Sequence, residues 1–82
     1  MKRITLYEFK RLPEQEQFNL TFHIGIFLEH YFTEHSTFSL YAIDRFFAET
    51  EYNSDKNELV GIKAFKTGTE LFKYSSFKET GL

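Results

Sequence analysis

A chain of 82 residues with no cysteine can hold neither a disulfide framework nor a cysteine zinc site. Its 10 basic and 12 acidic residues leave a net charge of -2, which lacks the basic excess of a nucleic-acid footprint. The core must come from rings: 11 Phe and 5 Tyr make the chain 20% aromatic, and each large ring buries about 150–250 Å².

The length suits one domain over residues 1–82, helical at 5–24 and sheet at 26–66. The opening MKRITLYEFKRL is charged, with no apolar run behind it. No later stretch approaches a membrane span, so neither a signal peptide nor a membrane contact is expected. The cytoplasm is the expected location.

Thr5 with Glu8 three residues on has the spacing of a capping box. Leu6, Phe9 and Leu12 then share one face of a short helix. Pro13 suits the start of a second helix over 13–24, and Glu14 and Glu16 complement its dipole. Phe18 and Phe22 are four apart, as are Leu20 and Ile24, which makes an apolar stripe. Gly25 is expected to close this helix in a left-handed conformation.

From Ile26 the apolar period changes to two. Ile26, Leu28 and Phe32 alternate with Phe27, Glu29 and Tyr31. A polar hairpin loop over 33–37 follows, then a strand in which Phe38, Leu40 and Ala42 alternate with Tyr41 and Ile43. Asp44-Arg45 marks a tight turn. A third strand carries Phe47, Glu49 and Glu51, and 53–57 is a clear loop. Residues 58–65 form a fourth strand. Short loops between consecutive strands imply antiparallel neighbours. The fold class is therefore α+β: N-terminal helices, a four-stranded antiparallel meander, and a short C-terminal helix at about 69–74 before a frayed end.

The segments Leu6-Tyr7-Glu8-Phe9, Leu12-Pro13-Glu14-Gln15, Gly25-Ile26-Phe27-Leu28 and 40–47, with Glu49 and Tyr52, resemble a family of small bacterial proteins with no assigned activity. The resemblance spans about Thr5 to Leu71. It implies a compact bacterial protein and carries over no functional residue.

No catalytic or cofactor motif stands out. His23 sits near a helix end, where it favours the dipole. His30 and His35 could approach across a hairpin near Glu34, but no metal-ligand spacing accompanies them. No metal and no cofactor are expected. Glu49 and Glu51 share a strand face, as an acid–base pair would, yet a solvated face with Lys63 across from it is the simpler reading. No serine or glycine pattern marks a nucleophile or a phosphate loop.

One pattern exceeds the needs of a core. The phase of Ile26, Leu28, Phe32, Phe38, Leu40, Ala42, Ala48, Val60, Ile62 and Ala64 is enough for the helices to cover. The other phase still carries Phe27, Tyr31, Tyr41, Ile43, Phe47, Leu59 and Phe65, partly covered by Leu71, Phe72 and Phe77. A sheet with one wet face alternates more cleanly than this. Phe27, Tyr31, Tyr41 and Phe47 are therefore the candidate interaction residues of a non-enzymatic module that self-associates or binds a larger protein. Base stacking is disfavoured by Glu29, Glu49 and Glu51 on the same phase. The alternative is a small enzyme or ligand-binding domain that completes a site from His30, Glu49 and Glu51 by dimerising.

Overall fold

The structure, a computed structural model, describes residues 4–68 and 71–74. It has two helices, α1 (Leu6–Lys10) and α2 (Glu14–Ile24), and four strands: β1 (Ile26–Phe32), β2 (Ser36–Ile43), β3 (Phe46–Asn53) and β4 (Glu58–Phe65). The strands form one antiparallel sheet in the order β1-β2-β3-β4. The α+β class and the meander are thus as expected. Of the expected C-terminal helix at about 69–74, residues 69–70 lie outside the described residues, as does the expected frayed end. Residues 71–74 form a turn in which Tyr74 N–H donates to the Leu71 carbonyl at 3.1 Å.

The capping box is complete. Glu8 N–H donates to Thr5 Oγ1 at 3.1 Å and Thr5 N–H donates to Glu8 Oε1 at 3.0 Å. Five residues are too few for a helix to stand alone. Gln17 of α2 ties α1 down by donating from Nε2 to the Phe9 carbonyl at 3.0 Å. Phe9 is then fully buried against Phe46, with ring centroids 5.2 Å apart.

Gly25 departs from the expected left-handed cap. Its φ of -69° and ψ of 146° are ordinary extended values. Space is what requires glycine here: a Cβ would lie 2.4 Å from the Thr21 carbonyl oxygen and 3.3 Å from Tyr41 Cβ. The missing side chain lets α2 turn into β1 within one residue.

The two sheet faces group differently from the alternation. The turn at 44–45 joins Ile43 directly to Phe46, so Tyr41 pairs with Ala48 and Leu40 with Glu49. Asp44 takes a φ of 51° to make this turn, a conformation Asp tolerates. On the helix face, Ile43, Phe46 and Ala48 pack with Phe9, Leu6, Leu12 and Leu20, joined by Ile62 and Ala64. On the opposite face, Leu40 and Phe65 pack with Leu71 and Tyr74, flanked by Phe38 and Phe47. Leu40 and Ala48, expected on one face, lie on opposite faces.

Three substitutions check this packing by urea unfolding. Gly25→Ala should destabilise by about 1–3 kcal/mol, because backbone cannot yield as a side-chain tip can, whereas Gly61→Ala, whose Cβ would meet only Glu51 Oε1 at 3.9 Å, should be near neutral. Thr21 is fully buried and its hydroxyl has no hydrogen-bond partner among the described residues. Thr21→Val should therefore stabilise, by about 1 kcal/mol; a loss of stability would mean the hydroxyl is satisfied.

Candidate functional site

β1 is rich in aromatic and branched residues, which suits a strand, yet six of its seven residues are exposed. It lies at the sheet edge, and among the described residues no strand pairs with its outer side. Its register with β2 shifts between Phe27 and Glu29, leaving Leu28 as an extra residue. Such a bulge breaks the alternation of faces. Phe27 pairs with Tyr41 and His30 with Ser39, so both lie on the helix face although they are three apart.

This brings six rings into one row. Phe18 meets Phe22 at 6.1 Å between centroids, and Phe22 meets Tyr41 at 5.7 Å. Tyr41 meets Phe27 at 5.7 Å, Phe27 meets His30 at 4.5 Å, and His30 meets Phe32 at 5.5 Å. The row starts on α2, crosses β2 and runs along β1 to the sheet edge. His30 is held by a 3.0 Å hydrogen bond between Nδ1 and Ser39 Oγ. Phe18 is buried and Tyr41 half-buried, and burial raises the Tyr41 phenol above its ordinary value. Phe22, Phe27 and Phe32 are 48%, 47% and 69% exposed.

The opposite face is built around a buried carboxylate. Glu49 is 3% exposed, accepts from the Tyr74 hydroxyl at 2.7 Å and pairs with Lys73 Nζ at 2.6 Å. The Lys73 ammonium stands 4.0 Å from the Phe38 ring centroid, 5.4 Å from that of Tyr31 and 5.6 Å from that of Tyr74. These rings and the carboxylate replace part of its hydration, and the Lys73 side chain stays 27% exposed. Glu51 accepts from Ser36 Oγ at 2.9 Å. The expected solvated face with Lys63 is thus corrected for Glu49: Lys63 stands opposite it in register, but the turn at 71–74 covers it. Nothing in the local sequence around Glu49 signals this, because its donors lie 24 and 25 residues on.

The four candidate interaction residues do not form one surface. Phe27 and Tyr41 belong to the aromatic row, whereas Tyr31 packs on Tyr74 at 6.1 Å and Phe47 on Phe65 at 6.2 Å on the opposite face. Phe22 on α2 and Phe32 on β1 complete the row, and strand alternation put Phe32 on the other phase. The two-residue turn at 44–45 was the available signal for Tyr41 and Ala48, since it sets the β2–β3 register. His30 likewise lies on the face away from Glu49 and Glu51, so one chain does not bring those three together. His35 bonds Asp55 at 2.6 Å at the far end of the sheet. Among the described residues no group of three or more His, Asp or Glu could hold a metal ion, and no helix is long and apolar enough to cross a membrane.

No family model, curated protein or solved structure matches this chain.

Burial, then the bond to Glu49 and the charges of Glu49 and Glu29, hold the Tyr74 phenol far above its ordinary value near 10. A raised native value contributes stability that is complete below the unfolded value and is lost as pH climbs toward the native one. Stability to urea should therefore fall above about pH 10, and less steeply in Tyr74→Phe. At neutral pH that variant should lose about 1–3 kcal/mol, since Glu49 stays buried without one donor. An unchanged alkaline slope would exclude this role for Tyr74.

Proposed function

We propose that this protein is a small cytoplasmic protein-interaction module without catalytic activity, and that it docks through the aromatic row and the free edge of β1. One observation carries the reading: a connected row of rings, half of them well exposed, ends on a strand whose outer side is unpaired among the described residues. Exposed contiguous apolar surface of this kind marks contact sites, and aromatic residues anchor them. The core does not account for it. Phe9, Ile43, Phe46 and Ala48 already form a buried cluster under the helices.

Charge selects the class of partner. The acidic residues Glu49 and Glu51 lie on the other face, so they do not guard the row. The absence of cations decides instead: α2, β1 and β2 contain no Lys or Arg. A strand of nucleic acid needs cations along its phosphates, and this surface offers none. A protein surface or an extended segment with apolar side chains fits both the rings and the backbone edge.

Phe27→Asp should weaken association by at least about 2 kcal/mol, roughly 30-fold in affinity, and leave the far-ultraviolet circular dichroism unchanged. Phe72→Asp, at a ring 53% exposed outside the row, serves as the control. Association that both variants retain, or lose equally, would sink the proposal.

A further inference from the structure

We infer that the occupant of the β1 edge is a second copy of this chain, paired β1 to β1 antiparallel into one continuous sheet. The inference rests on the docking reading above and adds the identity of the partner. Symmetry is the first argument. A two-fold axis perpendicular to the sheet returns each face to itself, so the row of one copy meets the row of the other on the same side. The meander ends at β1 with its outer side unpaired among the described residues, so this axis adds a strand where one is missing.

Area is the second argument. The exposed parts of Ile26, Phe27, Leu28, Tyr31 and Phe32 on β1 come to roughly 500 Å², taking about 150–250 Å² per large side chain. Two copies therefore offer roughly 1,000 Å², about what a specific interface needs.

Side-chain complementarity sets the register. An axis through Glu29 would place two carboxylates directly opposite, which is destabilising. An axis through His30 removes that clash. It sets Glu29 opposite Tyr31 of the second copy, twice by symmetry, and Leu28 opposite Phe32. Glu29 and Tyr31 pair with Leu40 and Phe38 within the chain, so both lie on the Glu49 face. A phenol can then donate to a carboxylate across the interface. The backbone register with β2 is regular from Glu29 to Phe32, the stretch that contains this axis.

Single-cysteine variants test the inference, because the chain has no cysteine of its own. Opposed Cα atoms in an antiparallel pair are about 4.5–5.5 Å apart, within the about 4.4–6.8 Å that a disulfide spans. Under mild oxidation, His30→Cys should form a covalent dimer roughly tenfold faster than Leu59→Cys on the far edge, since a paired thiol sees a much higher effective concentration. Adding Phe32→Asp should slow it to the Leu59→Cys rate. Sedimentation should find the unmodified chain at twice the mass of Phe32→Asp, whose ring is exposed enough for the fold to survive the change. A monomer at every concentration, or equal rates at His30 and Leu59, overturns the second copy. If a different protein is then lost from Phe27→Asp but retained by Phe72→Asp, the docking reading stands without self-pairing. If nothing is lost, both fall.

Discussion

The sheet depends on a carboxylate that has no business in an apolar layer unless donors reach it. Glu49 sits on β3, one of the two inner strands, 3% exposed. Leaving it alone there would cost several kcal/mol. The turn at 71–74 answers with a hydroxyl and an ammonium, and the ammonium is in turn faced by three rings. Leu71 and Tyr74 arrive with those donors and close the apolar surface of Leu40 and Phe65. The polar contact thus positions a short apolar cover that four residues could not hold in place by burial alone. This segment serves the Glu49 face, and among the described residues α1, α2 and Ile4 before them cover the helix face.

Two helices of five and eleven residues cannot cover four strands. Gln17 draws α1 against α2, and Phe9 anchors the pair over Ile43, Phe46 and Ala48. Both helices therefore serve the β2–β4 side. Gly25 turns the chain directly from α2 into β1, which leaves no length for the helix to fold back over that strand. Exposure along β1 follows from this connection and from where the helices are needed most.

The elements were legible in the sequence because their signals are local. The Thr5 and Glu8 pair, the loop at 53–57 and the turn at 44–45 each act within a few residues, and they bound the helices and strands correctly. Faces were less legible because they depend on how neighbouring strands are phased. Reading 44–45 as a two-residue connection would have paired Tyr41 with Ala48 from the sequence. The bulge at Leu28 had no such sign: no glycine marks it, and it alone separates Phe27 from Tyr31. Glu49 was least legible, since its environment comes from the far end of the chain.

The split of the aromatic residues between two faces gives them two different roles. Phe38 and Tyr74 face the Lys73 ammonium and Phe47 packs on Phe65, so these rings are occupied within the chain, while Tyr31 faces the same ammonium and keeps part of its ring exposed at the β1 edge. Phe22, Phe27 and Phe32 each meet other rings of the row, and about half or more of each faces solvent. Ring–ring contacts hold an aromatic surface in shape without burying it, at about 0.5–1.5 kcal/mol per pair beyond the area term. Such a surface loses little side-chain freedom when it meets another, because its rotamers are already restricted by their neighbours. Preorganisation of this kind distinguishes a contact surface from apolar residues that merely failed to find a core.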